Sequence, residues 1–265
     1  MNTKRWMLLA VLAVLLTAIA IIIAKTCDYY ADAPQQNPYP CHQHDDDTLR
    51  VILIGDSWVC YHHQHDAHLS RLLQDLTQQP VKVVSYGLCG KTSKEIYSSL
   101  FDDNGMRQLL THGSDYCFLS VGINDTYKKT GAASYARHTM QTLRFLCTNH
   151  IIPIILEIPN YDITFAFERQ TVSRKLLRRL SMLFTGSPLD CREEYRKALR
   201  ETIQNDDIAN KTLIIPAQSW SPHLYHYDRM HLNDLGYQTL DTCIAHTIAG
   251  DLEGHKNEKK RQLLP

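Results

Sequence analysis

The 265-residue chain carries no net charge, because 28 Lys and Arg balance 28 Asp and Glu. Without a global positive field, nucleic acid is not an expected partner. No internal repeat is visible, so the fold is not a repeat array. There is no His-Glu-x-x-His segment, which removes the commonest zinc-hydrolase signature. The Gly-x-Ser-x-Gly elbow is also missing, since Val59 stands where its second glycine would be, and the standard α/β-hydrolase reading fails. Gly90-Lys91-Thr92 resembles the end of a phosphate-binding loop, but Ser85 occupies the position of that loop's first glycine and no acidic magnesium-binding strand follows. Nucleotide binding is set aside on those grounds.

What is present is globular: 44% hydrophobic and 21% charged residues, enough for one ordinary domain with appendages. The N-terminus is a separate object. Lys4 and Arg5 precede an uncharged run from Met7 to Ala24 in which only Thr17 is mildly polar. Eighteen residues at about 1.5 Å each reach roughly 27 Å, the thickness of a hydrocarbon core. That exceeds the apolar region of a cleavable signal, and Ala24-Lys25-Thr26 is a poor cleavage site. We expect a signal anchor over 1–25, touching the membrane through residues 7–24. Lys4 and Arg5 would keep the N-terminus in the cytoplasm and put the rest outside, periplasmic or at the cell surface. Cleavage, or lipidation at Cys27, are the alternatives. Residues 26–48 hold Pro34, Pro38 and Pro40 without apolar periodicity, as a flexible tether would. Eight cysteines outside the cytoplasm permit disulfides. Cys27 with Cys41 is the least constrained pair, whereas Cys117 and Cys147 fall in expected core elements.

Short, nearly continuous apolar runs at Leu49–Ile54, Val81–Ser85, Tyr116–Val121, Ile151–Ile158 and Leu213–Ile215 have the pattern of strands buried on both faces. Helical stretches separate them: His65–Leu76, Ser93–Phe101, Ala133–Thr148, a long region from Ile163 to Ile203, and Asp234–Ala249. This alternation predicts an α/β fold over 49–251: a three-layer α/β/α sandwich on a five-stranded parallel sheet, in the flavodoxin-like order 2-1-3-4-5. The polar stretch 252–265 is expected to fray.

Four segments carry chemistry. Gly55-Asp56-Ser57-Trp58 follows the first strand, Gly87-Leu88-Cys89-Gly90 the second and Gly122-Ile123-Asn124-Asp125 the third, so all meet beyond the same sheet edge. Asp228-Arg229-Met230-His231 precedes the last helix. Acyl transfer needs a nucleophile, a base, a group orienting the base, and donors for an oxyanion. Ser57, His231 and Asp228, then Gly90 with Asn124, match those needs. Alone, Ser57 would be read as a helix cap and His231 as one of 14 unremarkable histidines. Asp56 is expected to be structural. Asn124-Asp125-Thr126 also fits a glycosylation sequon, a reading at odds with an active-site asparagine.

In this order the four blocks resemble the SGNH hydrolase superfamily, also called GDSL esterases and lipases, over about Leu49 to Ala249. The resemblance implies a flavodoxin-like sandwich and ester or thioester hydrolysis without metal or cofactor. It makes Ser57 the nucleophile and first oxyanion donor, Gly90 and Asn124 the other oxyanion donors, His231 the base and Asp228 its orienting acid. Trp58 replaces a leucine common after the serine, and Ser85 an asparagine frequent before the glycine turn. Both departures bear on the subfamily and so on the substrate.

Location and a polar setting (Tyr61, His62, Tyr86) favour a small-molecule or glycan acyl ester of the envelope, O-acetyl first. The alternatives are a lipase, lysophospholipase or thioesterase on longer chains, and an idle anchored glycan- or lipid-binding protein. His62, His63, His65, Asp66 and His68, with His42, His44 and Asp45–Asp47, are read as a solvated face or pocket rim rather than a metal site. About fifty residues between Asn160 and Lys211 exceed the dozen or so that a crossover needs. They are expected to form covering helices, or a lid with a basic rim.

Overall fold

The computed structural model describes residues 3–34, 36–102, 105–217 and 219–262, and divides into two compact units at Asp32/Ala33. The first unit is the helix α1, Thr3–Tyr30. Its stretch Arg5–Ile23 has a mean hydropathy of 2.9 and is exposed throughout. It is long and apolar enough to cross a membrane, a property that signal sequences share. The hydroxyl of Thr17 donates to the Ala13 carbonyl at 2.8 Å, so that polar group is satisfied inside the helix.

The second unit is built on strands β1 (Leu49–Gly55), β2 (Val81–Gly87), β3 (Tyr116–Ser120), β4 (Ile152–Leu156) and β5 (Leu213–Ile215). They form one parallel sheet in the order β2-β1-β3-β4-β5, the flavodoxin-like order expected. β1 and β3 are almost wholly buried, as central strands covered on both faces must be. The helices are α2 (Ser57–His62), α3 (Asp66–Thr77), α4 (Ser93–Ser99), α5 (Gly105–Thr111), α6 (Ile123–Lys128) and α7 (Ala132–Thr148), then α8 (Ile163–Glu168), α9 (Val172–Thr185), α10 (Arg192–Gln204) and α11 (Asp234–Gln262). α3 packs on α11, while α4 and α10 pack on α7, which gives the outer layers of the sandwich. The stretch expected as one long helical region is three helices. Gly186 ends α9 in the left-handed region at φ +66°, the usual stop for a helix.

Two expectations are corrected. The tether over 26–48 is not free along its length. α1 continues to Tyr30, and from Ala33 the chain lies against the domain as a strap. Tyr39 is buried among Phe101 and Phe145 and donates its hydroxyl to the Leu100 carbonyl at 2.7 Å. The Cys41 N–H donates to Asn149 Oδ1 at 2.8 Å, and His42 N–H to the Thr111 carbonyl at 3.0 Å. One aromatic anchor and a series of backbone bonds outweigh the prolines. Cys41 is a free thiol, and the expected pair Cys27–Cys41 falls on Cys27, whose side chain lies outside the described residues. The second correction is the tail: α11 runs through Gln262, across residues expected to fray. Its Glu, Lys and Arg are good helix formers even where no apolar face directs them.

Candidate active site

The ends of β1, β2 and β3 are tied together by backbone bonds, Asp56 N–H to the Ser120 carbonyl (3.0 Å) and Leu88 N–H to the Gly55 carbonyl (2.8 Å). These bonds bring the three sequence blocks to one place. Ser57 is the first residue of α2, so its N–H has no partner within the helix. The cap is Asp56, whose Oδ1 accepts from Trp58 N–H at 3.1 Å. Burial pushes the Asp56 carboxyl up to about 7, against the pull of that N–H and of His231, with Asp125 adding to the rise. Trp58 is fully buried and stacks on Trp220 at 5.7 Å, which fills the space beneath the serine turn.

His231 Nε2 lies 2.8 Å from Ser57 Oγ, and His231 Nδ1 lies 2.6 Å from Asp228 Oδ2. Asp228 Oδ1 accepts the backbone N–H groups of Met230 and His231, both at 3.0 Å. Burial alone would raise this carboxyl, but the bonds from the His231 ring and the two N–H groups bring it down to about 2. It is therefore ionised at any working pH. The loop that holds the pair is closed by an antiparallel bridge between Tyr225 and Leu232 and by the Asn233 amide, which donates to the His223 carbonyl at 2.6 Å. Arg229 takes a left-handed φ of +57° at the loop tip, an arrangement that places Asp228 and His231 on the same side. The Tyr61 ring meets the His231 ring edge-on at 5.1 Å.

Gly90 adopts φ +78°, a conformation costly for any residue with a side chain. Asn124 Nδ2 donates to the Lys91 carbonyl at 3.0 Å, while its contact with Asp56 Oδ2 is long, at 3.4 Å. One amide hydrogen thus orients the group and the other is weakly held. The neighbouring Asp125 is fully buried and accepts from Ser93 N–H (2.9 Å) and Ser93 Oγ (2.7 Å), fixing α6 to α4. Thr126, the third residue of the sequon, is buried and donates to the Ile123 carbonyl at 2.8 Å.

Several neighbours were not anticipated. Glu95 accepts from Thr92 N–H (2.9 Å), Lys91 Nζ (3.0 Å) and Lys128 Nζ (3.2 Å), and Lys128 also donates to the Gly90 carbonyl at 2.9 Å. Burial would raise Glu95, but these bonds bring it down to about 2. The glycine turn is held by this ionic staple. The Thr92-x-x-Glu95 capping box was there to be read.

The histidine cluster corrects another expectation: His62 is not a rim residue but fully buried. Its Nε2 lies 2.5 Å from Asp241 Oδ1, and its Nδ1 faces Ser85 Oγ (3.1 Å) and Asp66 Oδ1 (3.3 Å). His68 Nδ1 meets the other Asp241 oxygen at 2.6 Å. Ser85, at the position where asparagine is frequent, also donates its hydroxyl to Asp66. Among the described residues, no group of three or more His, Cys, Asp or Glu is arranged to hold a metal ion.

Beside the site, Arg229 lies over the Phe165 ring of α8 at 5.8 Å, and the buried Arg178 of α9 lies over Tyr127 of α6 at 4.5 Å. α9 turns Arg178 inward, while its Arg174 and Arg179 are exposed. Val172, Leu176, Leu177, Leu180, Leu183 and Phe184 face outward and are exposed.

A five-stranded doubly wound sheet in the flavodoxin-like order, with Ser57, His231 and Asp228 in one hydrogen-bonded line beyond its carboxyl edge, is a different architecture from that of the elbow-bearing lipases. The sequence profile of the GDSL-like lipase/acylhydrolase family matches residues 53–239, so the chain belongs to that family and is an ester hydrolase. No curated protein matches significantly. Solved structures share the fold. A protein of the G-D-S-L family from Desulfitobacterium hafniense is 16% identical, with TM-score 0.51 over 75% of this chain and 99% of its own. An acetylxylan esterase from Geobacillus stearothermophilus is 15% identical, with TM-score 0.52 over 76% and 94%. A GDSL-like lipase from Bacteroides thetaiotaomicron is 14% identical, with TM-score 0.50 over 76% and 88%.

Proposed function

We propose that this chain is a membrane-anchored, externally facing serine esterase that removes short acyl groups, O-acetyl groups first, from a glycan of the cell envelope. Ser57 is the nucleophile. His231 takes its proton during attack and returns it to the leaving alcohol, while ionised Asp228 holds the imidazole in the right tautomer and stabilises its charged form. The backbone N–H groups of Ser57 and Gly90 and the Asn124 amide receive the oxyanion. Water then repeats the sequence on the acyl-enzyme.

The observation that carries this reading is the continuous hydrogen-bonded line from Ser57 Oγ through His231 to Asp228, at 2.8 and 2.6 Å. The anchor is supported by the Arg5–Ile23 helix, and the outward placement by Lys4 and Arg5 before it. The short-acyl preference is supported by the likeness to a fold that an acetylxylan esterase also uses. The test is hydrolysis of acetyl, butyryl, octanoyl and palmitoyl chromogenic esters by wild type and Ser57→Ala. We expect acetyl to be fastest, Ser57→Ala to be inactive and EDTA to have no effect. A rate that climbs beyond about eight carbons would favour the second reading, a lipase or thioesterase. The outward apolar face of α9 beside the site favours that second reading.

A further inference from the structure

A helix on the surface of a folded domain ordinarily turns its apolar side to the core. α9 does the opposite. Val172, Leu176, Leu177, Leu180, Leu183 and Phe184 are exposed, whereas Arg178 is buried and lies over the rings of Tyr127 and Phe167 at 4.5 and 5.6 Å. Its guanidinium nitrogens have no hydrogen-bond partner among the described residues, so these ring faces hold the charge and fix the rotation of the helix. At 3.6 residues per turn, the exposed apolar residues fall within about 140° of the helix circumference. Lys175 and Arg179 border one edge of that arc and Arg174 lies beyond the other. Arg174 and Arg179 are exposed and Lys175 is half-buried. Val172–Thr185 holds no Asp or Glu to offset them.

We propose that α9 is an interfacial helix that lays its apolar face in the surface of an anionic bilayer. A lone exposed leucine is ordinary, but a contiguous apolar row rimmed by polar residues marks a surface that something covers. The rim says what covers it. An apolar arc between basic borders matches the boundary between acyl chains and anionic headgroups. Leu176, Leu180 and Leu183 would enter that boundary by about 5–10 Å. The long stems of Arg174, Lys175 and Arg179 would carry their charges back to the lipid phosphates. A second copy of the chain fits less well, because it would set basic border against basic border. The proposal adds a second membrane contact to the proposed anchor and rests on that reading only for the presence of a bilayer.

The docked face would lie close to the chemistry. Tyr127, on which Arg178 rests, belongs to α6, the helix that also carries Asn124. Phe165 of the preceding helix α8 lies under Arg229, at the tip of the loop that holds Asp228 and His231. A helix seated in lipid would thus touch one element of the proposed oxyanion site directly.

The experiment uses the purified full chain, assembled with nanodiscs of phosphatidylglycerol or of phosphatidylcholine. Each contains a trace of diazirine-bearing lipid of the same headgroup; irradiation, digestion and mass spectrometry then map the lipid adducts. The expected result is adducts on residues 172–185 in phosphatidylglycerol and about ten-fold fewer in phosphatidylcholine. The double variant Leu176→Ser, Leu183→Ser should also lose about ten-fold. Its melting temperature should be unchanged, because both side chains are exposed. Residues 5–23 report on the anchor separately. Adducts there with none on α9 overturn the proposal and leave the anchor standing. Adducts on α9 with none on 5–23 support the proposal and tell against the anchor; adducts on neither overturn both. Equal labelling in the two lipids overturns the anionic surface. A two-copy particle whose α9 carries no adduct gives the face to a second copy and overturns the proposal as well.

Discussion

The nucleophile helix lies between two His–Asp pairs that look alike on paper and do opposite things. His231–Asp228 is local, three residues apart on one loop, with side chains 21% and 37% exposed. His62–Asp241 spans 179 residues, with side chains 1% and 0% exposed. The first pair leaves one imidazole nitrogen for the Ser57 hydroxyl, the proposed nucleophile. In the second, both nitrogens face acceptors: Asp241 on one side, Asp66 and Ser85 on the other. Burial alone would lower the His62 pKa, yet the bonds from Asp241 and Asp66 raise it. A histidine needs an unclaimed nitrogen to act as a base; one with both nitrogens bonded to acceptors is a clamp. Here the clamp fixes α2 to α3, β2 and α11, and so fixes the serine that the other pair serves.

Substitution separates the two roles. His231→Ala should lower kcat by about 10⁴–10⁶ with an unchanged melting temperature, as expected for a residue of a triad; steady-state kinetics beside calorimetry would show it. Asp241→Ala should do the reverse, because it leaves buried His62 without its main partner. The loss should be about 3–5 kcal/mol of stability, read by urea unfolding, with kcat of the folded fraction kept within a few-fold. If Asp241→Ala removed activity at full stability, the clamp assignment would be wrong.

Asn124→Ala belongs to the first region and should cost about 10²–10³ in kcat with little change in KM. A defect confined to KM would move Asn124 from oxyanion donor to substrate recognition.

The smallest effect is in pH. His62 has a raised pKa in the fold, so its contribution is complete below its unfolded value of about 6.5 and is lost as pH rises through the folded value. Burial would raise Asp66, but the bonds from His62 and Ser85 lower it, so its contribution is present above about 3.9 and is lost as pH falls through the folded value. The clamp is therefore strongest between those limits. Melting temperature should decline by a few degrees above pH 7 in wild type, and less in His62→Gln.

The same contrast explains what the sequence disclosed. The strands were legible because central parallel strands are continuous apolar runs, and the four motif blocks because each is local and falls at a strand end. Asp228 and His231 share one loop, so their spacing suggested the pair once the three other blocks agreed. His62–Asp241 joins residues 179 positions apart, and no local pattern marks it. The histidine-rich segment around it looked like a wet surface because composition does not report burial. The strap from Ala33 to Thr48 was misread for a related reason: prolines mark irregular backbone, but they do not say whether an aromatic such as Tyr39 will find a pocket.

That strap sets a length. Sixteen extended residues would span about 55 Å. Laid along the domain from Ala33 onward, they add almost nothing to the reach. Only Ala31 and Asp32 separate the helix end from the strap. In the anchored reading proposed above, Ala31 and Asp32 are then the whole of the free linker.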